Sequence, residues 1–451
     1  MFIQTFKSEG LSHLSYLIGN NAEAAVIDPR RDCEVYAEAA AAEGCRVTHI
    51  FETHRNEDLI SGAPILAQLT GATVFHGPNA AGTVRYAKTT RESDEFNFGN
   101  LQLRVLETPG HTDDSLSFVL YDTEFGDDAV AVFTGDALFI GDVGRTDFYP
   151  ERSEEVAGLL YDSLQKLVNL GDQTLIYPAH GAGSVCGDNM ADREFSSIGY
   201  ERRNNPMMKI RSRQEFIKRK VQEHHYQPPY FREMERLNLE GGHATSPVLT
   251  PAALSPSAFK DLPDETVTID VRGISSFLGA HVPDSLALPT PMIPAFAGWF
   301  LNPDDKIALV ATSASEAQLA ARYLARIGFD KLLGYLAPDM PQWAAMAEPF
   351  RAITVIDLED FEKRRSAPPK NWSLLDVRGK GEVEETPVDQ AIHHYTGNLA
   401  EEASELDPDR HYTIMCGSGA RATIAASVLM RKGFSNVDVF LGSVGALMAD
   451  S

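Results

Sequence analysis

THRNEDLISG, residues Thr53–Gly62, directly follows the apolar segment VTHIFE and brings a histidine and two carboxylates into one polar loop. Imidazole and carboxylate groups are common ligands of divalent transition metals. Three later segments repeat this arrangement, in which a metal-capable residue comes just after an apolar strand. They are ETPGHTDDS with His111, FTGDALF with Asp136 and IYPAHGAG with His180. The pattern predicts a metal centre built from loops at strand ends.

Short apolar runs bounded by turn residues recur through the first half of the chain. Helical patterns lie between them at Asp32–Glu43 and Leu59–Leu69, and Gly71 ends the second one. Many strands with fewer helices predict two sheets enclosed by helices. The segment LEGGHATSPVLTPAALSPS is rich in glycine, proline and serine, so it predicts a linker after this region.

Beyond the linker the chain repeats itself. The strand-like segments TVTIDVRG and WSLLDVRG place Asp270 and Asp376 at equivalent positions, and each is followed by a second strand and a helix. This duplication predicts two tandem α/β domains with parallel sheets. We therefore expect three domains, over residues 1–245, 246–352 and 353–451.

Composition limits the possible functions. A formal net charge of −24 argues against nucleic-acid binding, which requires a cationic face. No secretory signal and no apolar run long enough to span a membrane is visible. The four cysteines do not form a disulfide framework in so long a chain. We expect a cytoplasmic protein with no nucleic-acid or membrane partner.

The four metal-capable segments, in this order, resemble the metallo-β-lactamase superfamily over roughly residues 1–240. That resemblance implies an αββα sandwich and a first loop of the form H-x-H-x-D-H. Here Asn56 and Leu59 stand where the family has histidines. A dinuclear zinc site needs three histidines on one ion and Asp, His, His on the other. The loss of one ligand from each set argues against a dinuclear zinc hydrolase.

His54, His111 and Asp136 remain, and two imidazoles with one carboxylate form the facial triad of mononuclear non-haem Fe(II) enzymes. Within the superfamily this set resembles the persulfide dioxygenase branch, as does the motif GRTDF at Gly144–Phe148. The resemblance implies one Fe(II) per chain, held by these three residues. Asp58 and His180 are expected to orient ligands or substrate. Arg145 and Asp147 are expected to contact the substrate.

A second candidate site is IMCGSGARAT, which puts Cys416 between an apolar strand and a helical run. A thiolate there can be stabilised by loop N–H groups and by the helix N-terminus. Gly417, Ser418 and Gly419 form the loop, and Arg421 closes it with a positive charge. The C-x4-R spacing is one residue shorter than the C-x5-R of cysteine phosphatases, so it suits a single sulfur atom.

Residues 353–451 resemble a rhodanese, which implies that Cys416 and Arg421 are catalytic and that Cys416 carries a sulfane sulfur. In the first repeat, Ala311 and Glu316 align with Cys416 and Arg421. That domain resembles a rhodanese without its catalytic cysteine, and we expect a structural or docking role for it. Cys186, close to His180 in sequence, remains ambiguous, with a role in the substrate pocket as one possibility.

Together the resemblances imply a persulfide dioxygenase fused to an inactive and an active rhodanese, acting in sulfide detoxification. The expected partners are glutathione persulfide or coenzyme A persulfide, O2, sulfite and thiosulfate, with a homo-oligomer possible. Two alternatives stay open. One is a mononuclear zinc thioester hydrolase with rhodanese appendages, and the other is a persulfide relay protein with a vestigial metal site.

Overall fold

The computed structural model describes residues 1–78, 82, 84–184, 186–187, 190–242, 247, 249–337 and 340–449. They form two compact units, residues 1–247 with 326–328, and residues 248–325 with 329–451. The predicted boundary between residues 245 and 246 lies outside the described residues. No helix in the described part of the chain has the length and apolarity needed to cross a membrane.

Two six-stranded sheets form the centre of the first unit. The first contains, in spatial order, β1 (Phe2–Ser8), β2 (His13–Asn20), β3 (Glu23–Ile27), β4 (Arg46–Phe51), β5 (Thr73–His76) and β6 (Lys88–Thr89). The second contains β7 (Glu95–Phe98), β8 (Leu101–Glu107), β9 (Leu116–Asp122), β10 (Ala131–Gly135), β11 (Leu175–Pro178) and β12 (Ser196–Ser197). β3 to β6 pair in parallel, as do β10 and β11, and the other pairs are antiparallel.

The two sheets pack face to face because their strands alternate in character. In β8, Leu101, Leu103 and Val105 are buried while the residues between them are partly exposed, as the period of two in a strand requires. These side chains join Tyr16 of β2 and Phe51 of β4 in one apolar cluster. The sandwich core is therefore built by both sheets.

Helices cover both outer faces. They are α1 (Glu34–Ala42), α2 (Ala63–Thr70), α3 (Ser153–Val168), α4 (Ile198–Asn204), α5 (Arg213–Val221) and α6 (Phe231–Glu240). α1 and α2 pack on the first sheet, and α3, α4 and α5 pack on the second. This arrangement confirms the predicted αββα sandwich.

The helix predicted over Leu59–Leu69 begins only at Ala63. Residues 59–62 stay in the loop because the buried Asn238 of α6 holds them there. Its side-chain N–H groups donate to the carbonyl oxygens of Asn56 and Leu59, both at 2.7 Å, and its Oδ1 accepts from the Ser61 N–H at 2.9 Å.

Two five-stranded parallel sheets make up the second unit, which confirms the predicted duplication. The strands are β13 (Ala253–Leu254), β14 (Val267–Asp270), β15 (Leu286–Ala287), β16 (Ile307–Val310) and β17 (Leu332–Leu336), then β18 (Thr354–Ile356), β19 (Trp372–Asp376), β20 (Ala391–His393), β21 (His411–Met415) and β22 (Val437–Phe440). Numbered within its own repeat, each sheet has the strand order 1-5-4-2-3.

Ten helices flank these sheets in the described residues. They are α7 (Pro256–Lys260), α8 (Ile274–Gly279), α9 (Ile293–Phe300), α10 (Ala314–Arg326), α11 (Met340–Ala345), α12 (Leu358–Ser366), α13 (Lys380–Glu385), α14 (Leu399–Glu402), α15 (Ala420–Arg431) and α16 (Ser443–Ala449).

The two repeats share a core. Phe277 and Leu278 of α8 and Ala287 of β15 lie in the same apolar cluster as Ala425 and Leu429 of α15. The Ala287 N–H also donates to Ser427 Oγ at 3.0 Å. The first repeat therefore buries one face of the helix that follows Cys416. The boundary predicted at residues 352 and 353 stays a prediction.

We expect Phe277→Ala to destabilise the second repeat as well as the first, because Phe277 is 1% exposed in the shared cluster. Removing a buried phenylalanine side chain costs about 3–5 kcal/mol. The measurement is the temperature at which the backbone amides of α15 lose their protection from hydrogen exchange, with Phe350→Ala, 53% exposed, as the control. An unchanged temperature for Phe277→Ala would contradict a shared core.

Candidate functional site

The four predicted metal-capable residues all follow strands of the sandwich. His54 follows β4, His111 follows β8, Asp136 follows β10 and His180 follows β11. Gly135, just before Asp136, has φ +54°, and a Cβ there would lie 2.8 Å from the side chain of Thr53. Glycine at this position thus allows the loops carrying Asp136 and His54 to approach each other.

The structure brings His54, His111 and Asp136 together, with one ligand atom from each within 4.8 Å of the others. Asp136 Oδ2 lies 3.9 Å from His54 Nε2 and 3.5 Å from His111 Nε2. All three side chains are buried. A divalent ion with bonds of roughly 2.0–2.2 Å fits ligand atoms at these separations.

Both histidines are oriented through Nδ1. His111 Nδ1 is 3.0 Å from the carbonyl oxygen of Arg145. A carbonyl only accepts, so Nδ1 carries the proton and Nε2 presents its lone pair. His54 Nδ1 lies 2.9 Å from Thr53 Oγ1, which itself donates to Asp28 Oδ2 at 2.8 Å. Both Nε2 atoms therefore face the cluster as acceptors, as metal ligation requires.

Buried polar atoms without hydrogen-bond partners concentrate around this point. Within the described chain they include His54 Nε2, His111 Nε2, His180 Nε2, Asn56 Oδ1, Glu57 Oε2 and both carboxylate oxygens of Asp58. Buried polar groups are almost always hydrogen-bonded, and an unpaired buried carboxylate is strongly unfavourable. So many acceptors facing one another indicate a cation site, and the residues present fit a divalent metal.

Asp136 and Glu57 stay ionised in the buried cluster. Burial favours the neutral form of Asp136, but the hydrogen bond from His180 and the nearby His54 hold its pKa well below the usual range. Burial opposes ionisation of Glu57 too, yet His111 lowers the pKa of Glu57 to about 2. Burial lowers the pKa of His180, but Asp136 and Asp58 raise it well above its usual value. Ionised carboxylates and a histidine with a raised pKa thus lie together in this buried cluster.

Asp58 and His180, expected to orient ligands, lie beside the triad. His180 Nδ1 is 2.8 and 2.9 Å from the two carboxylate oxygens of Asp136. His180 Nε2 is 3.1 Å from Asp58 Oδ2. His180 therefore links Asp136 to Asp58.

Sequence reasoning missed Glu57 and left Cys186 ambiguous. Glu57 Oε1 is 3.2 Å from His111 Nε2, and Cys186 Sγ donates to that same oxygen at 3.5 Å. Both residues are buried at the metal cluster. The signal for Glu57 is its place in the opening loop, two residues before a histidine position that here holds Leu59.

Arg145 lies behind the triad. Its guanidinium donates to both carboxylate oxygens of Asp147 at 2.6 Å and to the Tyr226 carbonyl at 3.3 Å, and it stacks over Phe148. Only 1% of its side chain is exposed. In this structure Arg145 and Asp147 fix the loop whose carbonyl orients His111, and their contact with substrate stays a prediction.

The second candidate site forms where β21 meets α15. Cys416 Sγ accepts the N–H of Gly419 at 3.1 Å, and the Cys416 N–H donates to Ser443 Oγ at 3.0 Å. Gly419 has φ +93°, and a Cβ there would lie 2.5 Å from the carbonyl oxygen of Leu441. A residue other than glycine would therefore displace the N–H that stabilises the sulfur.

Arg421 is held by Glu382 through two hydrogen bonds of 2.5 and 2.6 Å. Glu382, which the sequence did not single out, sets where the guanidinium lies. In the first repeat, Glu316 Oε2 accepts from the N–H and Oγ1–H of Thr312, at 2.7 and 2.5 Å. A carboxylate thus fills the loop beside Ala311, where the second repeat has its thiol and cation.

We expect Asn238→Leu to weaken metal binding, because the opening loop would lose three hydrogen bonds without a large change in side-chain volume. Losing contacts that orient metal ligands typically costs about 10- to 100-fold in affinity. Competition with a chromophoric chelator measures the change. Asn204→Leu, an exposed substitution in the same unit, is the control and should bind metal normally. Equal affinities for the two variants would contradict this role.

Comparison with known proteins agrees with the fold. Residues 9–180 match the metallo-beta-lactamase superfamily, and residues 357–449 match the rhodanese-like domain. The mitochondrial persulfide dioxygenase ETHE1 of Bos taurus is 30% identical over 223 residues, which cover 48% of this chain and 78% of that protein. A hydroxyacylglutathione hydrolase of Tolumonas auensis is 32% identical over 181 residues, or 40% of this chain and 64% of the hydrolase.

A crystal structure of a metallo-beta-lactamase from Staphylococcus aureus superposes with a TM-score of 0.68 at 30% identity, covering 74% of this chain and 98% of that one. The chain therefore belongs to the metallo-beta-lactamase superfamily, as a fusion of a domain related to the ETHE1 persulfide dioxygenases with a rhodanese-like domain.

Proposed function

We propose that the chain is a persulfide dioxygenase with one Fe(II) at His54, His111 and Asp136, joined to a sulfurtransferase at Cys416. The observation that carries the proposal is the buried cluster of two imidazole nitrogens and one carboxylate oxygen within 4.8 Å. Two histidines and a carboxylate leave coordination positions open, as in non-haem Fe(II) oxygenases. The ETHE1 relatives support persulfide as the substrate.

Fe(II) at this site would supply open positions at which O2 and the outer sulfur of a persulfide can meet. The balanced reaction is RSSH + O2 + H2O → RSH + H2SO3, in which the outer sulfur is oxidised and the carrier thiol is released. The carrier is glutathione or coenzyme A.

The protein's own residues orient the metal ligands and exclude bulk water from the site. The Arg145 carbonyl fixes the tautomer of His111, and His180 fixes both oxygens of Asp136. Glu57, ionised and 3.2 Å from His111 Nε2, adds negative charge beside the triad. Burial of the whole cluster keeps bulk water away from it.

Cys416 would carry a sulfane sulfur as Cys–S–SH, in a loop where the Gly419 N–H stabilises the sulfur. In one direction of sulfur transfer, Cys416 supplies persulfide to the iron site. In the other, Cys–SSH + HSO3⁻ → Cys–SH + HS2O3⁻ forms thiosulfate. As part of the same proposal, the chain acts in sulfide detoxification in a reducing, cytoplasmic setting, where free cysteines such as these four persist.

We expect the anaerobically iron-loaded chain to consume O2 and release sulfite when glutathione persulfide or coenzyme A persulfide is added. His54→Ala should abolish this uptake, because the cluster loses one of its two imidazole ligands. His224→Ala, outside the cluster, is the matched control. Zinc retention with thioester hydrolysis and no O2 uptake would instead support a hydrolase, the activity named for the Tolumonas relative.

Cys416→Ser should remove thiosulfate:cyanide sulfur transfer and leave O2 uptake from a supplied persulfide intact. Serine lacks the polarisable sulfur that forms Cys–S–SH. Cys45→Ser is the control, because Cys45 lies just after α1 in the first unit. Loss of O2 uptake in Cys416→Ser would mean that Cys416 takes part in the oxidation itself, contrary to the proposal.

A further inference from the structure

Ser443 has a backbone conformation that is unfavourable for its residue type. It begins α16, just after β22, and its side chain is fully buried. Its φ is +51°, in the left-handed region that residues with a Cβ rarely adopt. Glycine adopts this conformation without the steric cost. Strained residues of this kind cluster at functional sites, and the contacts of the Ser443 hydroxyl lead to one.

The Ser443 hydroxyl makes two hydrogen bonds, and one of them reaches the peptide of the candidate nucleophile. Its Oγ–H donates to the Phe440 carbonyl at 2.8 Å. Because a carbonyl only accepts, this bond commits the hydroxyl proton and leaves a lone pair of Oγ for the Cys416 N–H, which donates to it at 3.0 Å. Glycine or alanine at this position would remove both bonds.

The first turn of α16 holds the start of the Cys416 loop at two more points. The Val444 N–H donates to the Cys416 carbonyl at 3.1 Å. The Gly445 N–H donates to the Gly417 carbonyl at 3.0 Å. In a planar trans peptide the N–H points away from the carbonyl. The N–H groups of Gly417 and Ser418 are therefore turned away from α16, and neither has a hydrogen-bond partner among the residues that the structure describes.

The first repeat binds a negatively charged group with the N–H at this position. Thr312 aligns with Gly417 of the second repeat. The Thr312 N–H donates to Glu316 Oε2 at 2.7 Å, so a carboxylate occupies that loop. In the loop of Cys416 the corresponding N–H is left for a negatively charged sulfur.

We propose that Ser443 is a positioning residue for sulfur transfer at Cys416, an inference that rests on the proposed sulfurtransferase. In the loading step, Cys–S⁻ + S2O3²⁻ → Cys–S–S⁻ + SO3²⁻, the thiolate attacks the outer sulfur of thiosulfate. The S–S bond of thiosulfate breaks, and sulfite leaves with its electron pair. The negative charge then lies on the outer sulfur, where hydrogen-bond donors fixed in advance stabilise it. The Ser443 hydroxyl fixes the Cys416 peptide, from which the N–H groups of Gly417 and Ser418 follow.

The strain at Ser443 and its hydrogen bonds can be separated by substitution. Ser443→Gly removes the hydroxyl and also relieves the backbone strain, whereas Ser443→Ala removes the hydroxyl and keeps the strain. The glycine variant should therefore melt at a higher temperature than the alanine variant. Both variants should lose the same support for the outer sulfur.

The test measures the sulfur-loading equilibrium of the full-length chain. Each protein is incubated with fixed concentrations of thiosulfate and sulfite, without O2 so that the added sulfur is not oxidised. Intact-mass spectrometry gives the fraction of chains that carry one extra sulfur atom, and Cys416→Ser gives the background from the other cysteines. Both Ser443 variants should lower the loading equilibrium constant by roughly 5- to 10-fold, the effect of one lost hydrogen bond. Ser435→Ala, an exposed serine in the same repeat, is the control and should load like the parent.

Three results would overturn the inference. Loading equal to that of the parent in both Ser443 variants would mean that the hydroxyl does not position the loop. Loading that follows the melting temperature, normal in Ser443→Gly and reduced in Ser443→Ala, would mean that Ser443 has only a structural role. Both of these results leave the sulfurtransferase in place. A parent chain that takes up no sulfur at Cys416 would instead overturn the proposed sulfurtransferase, and this inference with it.

Discussion

The structure of the first unit depends on the burial of negative charge. Glu57, Asp58 and Asp136 lie fully inside the sandwich, close to three imidazole rings. Carboxylates in such a place are tolerable only with a compensating positive charge. The loops that carry them are fixed from outside the cluster by neutral groups, namely the Arg145 carbonyl, the Thr53 hydroxyl and the Asn238 amide. The surrounding fold thus fixes the geometry and leaves the charge for a metal to neutralise.

Much of the fold and of the two candidate sites could be predicted from local sequence. His54, His111 and Asp136 each follow an apolar strand, which placed them in strand-end loops. That these loops meet was implied by the resemblance to the metallo-β-lactamase superfamily, because β4 lies in one sheet and β8 and β10 lie in the other. The parallel sheets of the second unit followed from the repeated DVRG strand ends. The thiolate-binding loop after Cys416 could be predicted because Gly417, Gly419 and Arg421 follow the cysteine at a spacing that resembles a rhodanese.

What could not be predicted depends on contacts between distant residues. Nothing near Asn238 indicates that its amide binds a loop more than 170 residues earlier, and for that reason the start of α2 was placed too early. Glu57 looked like an ordinary loop acid until the fold buried it. Cys186 was a lone cysteine whose partners, Glu57 and Asp58, come from another strand end. The roles of these three residues can be recognised only in the folded structure, where burial removes water as a hydrogen-bond partner and leaves the distant residues in its place.

The shared core of the two repeats limits how the second unit can be divided. A fragment starting at residue 353 would keep Cys416, Arg421 and the whole of β18 to β22, yet it would lose Phe277, Leu278 and Ala287. The apolar part of α15 that packs on these three residues would then meet solvent, and exposed apolar surface promotes self-association. The first repeat therefore completes the apolar core around α15, and burying this helix face needs no chemistry of its own.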